Sequence, residues 1–201
     1  METRQGRSGS TRAALVQAAR ALFAERGFAA VGTEEIVARA GVTRGALYHH
    51  FRDKTDLFRA VLEEVERDLS EKIATAALSD PDPWRALGAG CSMFLDACRE
   101  PEIQQIALLD APSVLGWEEW REIDARYGLG LIKLGIQNAI DAGALPPQPV
   151  DPLAHVLLGA LDEAALLVAR ADDPAKTRAE VGATLDRLLA ALSAPSRARS
   201  A

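Results

Sequence analysis

The stretch from Thr33 to Lys54, TEEIVARAGVTRGALYHHFRDK, constrains the fold more than any other part of the chain. Two short helical patterns joined by a glycine turn sit beside a cluster of positive charge, which is the layout of a helix-turn-helix. Thr33 is a good N-cap, Glu34 and Glu35 suit the first turn, and Ile36, Val37 and Ala40 make one apolar stripe before Gly41 ends the helix. Val42 plugs the turn and Thr43 caps the second helix. On that helix Leu47 and Phe51, four apart, face inward, while Arg44, Tyr48 and His49 point outward. Gly45 matters because it lacks a side chain: the backbone can approach a groove edge, and Ala46 can lie against a thymine methyl group.

The flanking segments support this motif. From Thr11, a capping residue, Leu15, Ala18, Ala19, Leu22 and Phe23 keep helical spacing until Gly27 supplies a stop, so this helix braces the motif from behind. Lys54 opens a long helix in which Leu57, Val61, Val65, Leu69 and Ile73 keep a four-residue rhythm, with Glu63–Arg67 and Asp68–Lys72 paired on its outer face. A cation at a helix start opposes the dipole, so Lys54 makes sense beside a phosphate; otherwise it is an ordinary solvated lysine. Met1 to Ser10 is Gly/Ser/Arg-rich and reads as a disordered arm. Its Arg4 and Arg7 either reach a minor groove or, as composition favours, lie in a solvated tail.

Net charge alone, at −6, argues against a nucleic-acid partner. Its distribution reverses the argument: residues 1–55 carry nine Arg/Lys against five acids, which leaves −10 on the remainder. A basic head on an acidic body attracts phosphate at one end and keeps the other away from it.

The connected pattern Phe23-Ala24-Glu25-Arg26-Gly27-Phe28, Thr33, Gly41-Val42, Gly45, Leu47-Tyr48, His50-Phe51 and Lys54 resembles the TetR-type one-component transcriptional regulators. The resemblance runs from about Thr11 to Phe58. It implies a homodimer whose second short helix enters the major groove of an operator, an inducer held among the body helices, and repression rather than activation. Phosphate contacts are then expected from Thr33, Thr43, Tyr48 and Lys54, and base reading from Arg44, the Gly45–Ala46 edge and, less securely, His49. Two-fold symmetry implies palindromic double-stranded DNA with half-sites about 34–36 Å apart, or a simple multiple of that. Beyond about Leu78 the resemblance implies architecture but no particular ligand.

The body announces its helices with an acid before proline: Asp82-Pro83, Glu100-Pro101, Asp151-Pro152 and Asp173-Pro174. The spacing predicts helices near 83–99, 101–110, 152–171 and 174–193, with another over 117–141 closed by Gly143 and Pro146-Pro147-Gln148-Pro149. No strand-like alternation competes, so the expectation is an all-α protein of about nine helices. The expected divisions are an arm over 1–10, a helix-turn-helix domain over 11–53, an effector-binding and dimerisation domain over 54–193, and a tail over 194–201 that carries Arg197 and Arg199. Leu153, Val156, Leu157, Ala160, Leu161, Ala164, Leu167, Val168 and Ala171 make one broad apolar face, and Val181, Leu185, Leu188, Leu189 and Leu192 a second. Helices 152–171 and 174–193 are therefore expected to form a four-helix bundle across a two-fold axis, Gly159, Ala160 and Ala164 allowing close approach; the alternative is packing within one protomer.

Catalytic and metal signatures are missing. His49 and His50 are adjacent and diverge on a helix, His155 stands alone, and no HExxH, nucleophile elbow or phosphate-binding glycine loop occurs. An enzyme, a metal site and a cofactor are not expected. Cys91 and Cys98 are seven apart on one helix, about 10 Å of rise, too far for a mutual disulfide, which fits a reducing cytoplasm. No run of about eighteen apolar residues exists, so neither a membrane span nor a secretory signal is expected.

A ligand pocket is the stronger hypothesis for the body. Trp84, Met93, Phe94, Trp117, Trp120 and Tyr127 all fall in the middle section, and Trp117, Trp120 and Tyr127 share a helix face that could line a cavity for a small apolar or aromatic ligand. The same stripe could equally be core. His155 and Asp162 project away from the apolar face of their helix, either to orient a ligand or to meet water, with water favoured. Gly128, Gly130 and Gly135 mark a close crossing, a kink or a mobile segment. The rival readings are a DNA-binding regulator without an effector and, further off, a helical carrier or enzyme.

Overall fold

The computed structural model describes residues 4–193, and every regular element among them is helical. Nine helices run through the described residues: α1 (Arg4–Ala30), α2 (Thr33–Ala40), α3 (Arg44–His50), α4 (Lys54–Ala77), α5 (Pro83–Ala97), α6 (101–115), α7 (Trp117–Asp141), α8 (Val150–Ala169) and α9 (Pro174–Ser193). Within α6 the chain widens into a π-helix over Gln104–Asp110 before tightening again over Ala111–Leu115. The helix outruns the predicted 101–110 as far as Leu115, and Gly116, at φ 85, is where the chain turns.

Several boundaries differ from expectation for local reasons. Helix α1 begins at Arg4, so residues 4–10 are helical rather than a disordered arm; Met1–Thr3 and the expected tail 194–201 lie outside the described residues. Gly27 (φ 76, ψ 160) interrupts α1, but the chain resumes helical turns as far as Ala30. Gly32 rather than Thr33 caps α2, which puts Thr33 one place inside the helix. Asp82 does cap α5, accepting from the Trp84 and Arg85 amides, and Asp173 accepts from the Lys176 amide. Asp151-Pro152, by contrast, lies inside the first turn of α8, which starts at Val150.

The chain divides into two compact units, and the division is not the expected one near residue 53. The first unit runs to Glu66 and also takes in Glu100–Arg121. Its core is set by Leu15, Val16, Ala19, Leu22 and Phe23 of α1, Ile36 of α2, Leu47 of α3, and Leu57, Phe58 and Val61 of α4, all buried. Phe23, Phe28 and Phe58 form a triangle of rings with centroids 5.2–5.5 Å apart. The Gly27 break is what turns Phe28 into this triangle, because only a residue without Cβ adopts that backbone cheaply. Residues 100–121 join the unit through specific bonds. Arg20 forks onto Glu102 at 2.7 and 2.8 Å, the Phe28 amide donates to Asp110 Oδ2 at 2.7 Å, and Arg59 pairs with Glu119.

The second unit comprises Arg67–Arg99 and the chain from Glu122 onward. Leu87, Cys91 and Leu95 of α5, Ile132 and Ile136 of α7, Leu157, Leu158, Leu161 and Ala165 of α8, and Leu185 and Leu189 of α9 are buried in it. The α7 glycines resolve into different roles. A Cβ at Gly135 would lie 2.9 Å from Leu87 Cδ1 and one at Gly128 3.3 Å from Leu158 Cδ1, so both mark close helix crossings. Gly130 has nothing within 4 Å. Arg178 of α9, only 13% exposed, reaches Asp96 at 2.8 Å and Ser92 Oγ at 2.7 Å on α5; a Cβ at Gly182 would collide with its guanidinium. Cys91 and Cys98 are buried and not joined in a disulfide, and burial pushes the Cys91 thiol up to about 12. By length and apolarity α8 alone among the described helices could cross a membrane, although 44% of its most apolar stretch is buried in this unit.

Candidate DNA-reading interface

Local chemistry builds the α2–turn–α3 motif. Gly41 takes the left-handed conformation (φ 66) that ends α2, and the Val42 amide donates back to the Val37 carbonyl at 3.1 Å. Thr43 then caps α3, its hydroxyl oxygen accepting from the Ala46 amide at 3.2 Å. Leu47 and Phe51 are buried, which fixes the rotation of α3 about its axis. Arg44, Gly45, Tyr48 and His49 are consequently exposed, and Ala46 and Thr33 are half-buried.

Gly45 has no internal reason to be glycine. Its φ is not positive, and an added Cβ would meet only Thr43 Oγ1 at 3.9 Å, an ordinary contact. The space it leaves lies outside the protein.

The charged groups are more committed than sequence spacing implied. Arg44 Nη1 pairs with Glu34 Oε1 at 2.8 Å, and its guanidinium lies 5.6 Å from the centre of the Tyr48 ring. The Tyr48 hydroxyl first, and the Glu34 carboxylate second, raise the pKa of Arg44 above its ordinary value. Behind α2, Arg26 pairs with Glu35 and Arg39 with Glu25, so these two cations tie α1 to α2. His50 is half-buried, and desolvation, helped by charge repulsion from the His49 and Arg12 side chains, lowers its pKa. The His49 and His50 rings stand 5.1 Å apart, and no group of three metal-ligating side chains occurs among the described residues.

Lys54 packs against the protein. Its ammonium turns inward, donating to the Phe28 and Val31 carbonyls at 2.9 Å each and sitting 3.9 Å from the centre of the Phe28 ring. Burial lowers its pKa, offset in part by the nearby Asp110 charge. Rather than standing free in solvent, it spends two of its three donors on closing the end of α1. The carbonyls it binds belong to residues 23 and 26 positions earlier, which spacing within its own helix cannot reveal.

The expected ligand residues are divided between the two units. Trp120 is buried while Trp117, with its ring centroid 4.8 Å away, is 62% exposed. Tyr127, Met93 and Phe94 are half-buried and belong to the second unit, where His155 is exposed. Asp162, expected to face water, is buried in the second unit, and so is Asp124. A shallow cleft of about 250 Å³ in that unit is lined by other residues, among them Ser92, Arg178, Gly182 and Asp186. Sequence reasoning missed Arg178 because its partners stand 82 and 86 positions away.

Comparison with known proteins matches residues 15–61 to "Bacterial regulatory proteins, tetR family" and residues 84–192 to "Tetracyclin repressor-like, C-terminal domain". The TetC protein of transposon Tn10 from Escherichia coli is 30% identical over 75% of this chain and 76% of its own. The transcriptional repressor BepR from Brucella suis is 35% identical over 53% of this chain and 51% of its own. A crystal structure from Pectobacterium atrosepticum, described as a TetR-family transcriptional regulator, is 34% identical and superposes with a TM-score of 0.86, covering 98% of this chain and 100% of that one.

Proposed function

The chain belongs to the TetR family of bacterial regulatory proteins and is a DNA-binding transcriptional regulator; from that premise we propose that it is a cytoplasmic, homodimeric, ligand-responsive repressor acting on a palindromic operator. The observation that carries this reading is α3. Its buried Leu47 and Phe51 leave Arg44, Gly45, Tyr48 and His49 on one open face, with a glycine that nothing inside the protein requires. Arg44 and His49 are assigned to base edges, with the Gly45–Ala46 backbone close to the groove. Thr33, Thr43 and Tyr48 are assigned to phosphates, where they set register without specifying sequence. The Thr43 cap uses its oxygen as acceptor and leaves the hydroxyl hydrogen to donate outward.

Dimerisation is assigned to α8 and α9. Val156, Leu167 and Leu188 are 67%, 55% and 55% exposed, and Gly159 and Ala160 lie open beside Val156. Contiguous apolar surface on a water-exposed helix favours a partner, and a self-complementary face closes as a two-fold dimer. Met93, Phe94 and Tyr127 are assigned to a small apolar or aromatic ligand in the second unit. Ligand and operator then oppose each other by one coupling energy in both directions, and a tenfold loss of operator affinity requires about 1.4 kcal/mol. Helix α4, whose residues divide between the two units, is the proposed lever.

Selection of bound sequences from random duplex DNA, followed by a salt titration on the winner, tests the proposal. A palindromic winner, with log affinity falling steeply against log salt, is the expected result. Enrichment of a non-palindromic site, or a bound ligand that leaves operator affinity unchanged, would remove the dimer or the ligand arm respectively.

A further inference from the structure

We infer that Glu34 is a restraint on the reading arginine: it grips Arg44 across the turn, withholds that charge from phosphates of unrelated DNA, and yields it to a guanine edge at a cost in operator affinity. The inference rests on the assignment of Arg44 to base reading. Glu34 and Arg44 meet at 2.8 Å although their side chains are 68% and 63% exposed. The pair does not hold the motif together, since Ile36, Val37, Leu47 and the Gly41 turn already pack α2 against α3. Glu35 and Glu25 pair with arginines at the back of the motif. Glu34 instead holds a residue of the outward face of α3.

An ion pair on the reading face changes what Arg44 gains from each kind of DNA. A phosphate offers Arg44 one anion in exchange for another, and the move strips Glu34 of its partner beside a negatively charged backbone. On unrelated DNA the exchange is therefore close to even or unfavourable. Guanine offers O6 and N7 as two acceptors in the plane of the guanidinium fork, a geometry that only the correct base pair presents in the major groove. The carboxylate thus lowers affinity for all DNA, since the same pair must be broken for either contact, and only the two acceptors of guanine recover that loss. A residue read from sequence only as a favourable charge near a helix start becomes a brake on the arginine beside it.

The test measures binding of the full chain to an unrelated duplex and to the selected operator, each across a salt series, for the parent, Glu34→Gln, Arg44→Ala and the double variant. Glu34→Gln keeps the size of an exposed side chain, and a thermal melt checks the fold. It is expected to tighten binding to unrelated DNA about two- to fivefold. It should also steepen the log–log salt slope there by about one, as Arg44 becomes an extra phosphate contact. Operator affinity should rise at least as much, because the same pair is broken when Arg44 turns to guanine. In the Arg44→Ala background the same substitution should leave the slope on unrelated DNA unmoved. An unchanged slope and affinity for Glu34→Gln alone overturns the inference, as does an equal gain with Arg44 absent, which would show simple charge repulsion. If Arg44→Ala leaves operator preference intact, the base-reading assignment fails instead, a result separate from either of those.

Discussion

A single methyl group placed on α3 separates what the protein needs from what DNA needs. Gly45→Ala meets open space and replaces the weaker helix former, so the free protein should melt at the same temperature or higher. Operator affinity should nevertheless fall about tenfold or more, because the methyl stands where the backbone is proposed to approach the groove; a binding titration beside a thermal melt checks both. Lys54 makes the opposite case. Lys54→Met removes the donor to the Phe28 and Val31 carbonyls and should cost about 1–3 kcal/mol in urea unfolding. The salt slope of DNA binding should hold constant, whereas a true phosphate contact would reduce it by about one. His50 adds a pH dependence. Its folded pKa lies below that of the unfolded chain, so the unfolded state binds more protons in the window between the two values. The resulting stability is complete above about pH 6.5 and is lost as pH falls through the folded value. Thermal melts from pH 7 to 5.5 should therefore fall more steeply for the parent than for His50→Gln.

At the scale of helices, packing distances sort residues that look alike in sequence. Gly130→Ala and Gly135→Ala are the same change five positions apart in α7. The first meets nothing within 4 Å and should stabilise by about 0.5–1 kcal/mol. The second drives a methyl to 2.9 Å from Leu87 and should destabilise by about 1–3 kcal/mol, both read from urea midpoints. The difference shows where sequence is legible. The α2–turn–α3 motif could be read in advance because each of its parts is local: Gly41 turns the backbone, Thr43 caps an amide three residues on, and Leu47 and Phe51 share a face. The identity of a cap was legible only to within one or two residues, as Gly32 at α2 and Pro149 at α8 show. Distant pairings left no trace in spacing. Arg20–Glu102, Phe28–Asp110 and Arg178–Asp96 each join residues 82 positions apart, and these decide which helices belong to which unit.

For the whole molecule, the exposed apolar residues of α8 make oligomeric state the quantity to measure. Leu167→Asp puts a charge on a surface that is already solvent-exposed in the isolated chain, so helix content and melting of the protomer should be retained. Sedimentation should show a dimer for the parent and a monomer for the variant, with operator binding weakened because only one half-site can be held at a time. The first unit, finally, is discontinuous along the chain: it closes with Glu100–Arg121, after a stretch that belongs elsewhere. A ribosome that has made the first 66 residues has made the reading helix but not Glu102, Asp110 or Glu119, which grip Arg20, the Phe28 amide and Arg59. At about 5–20 residues per second, several seconds separate emergence of the motif from the arrival of its last support. The nascent head must wait, incomplete, while the polypeptide that will finish it is still being threaded through the exit tunnel.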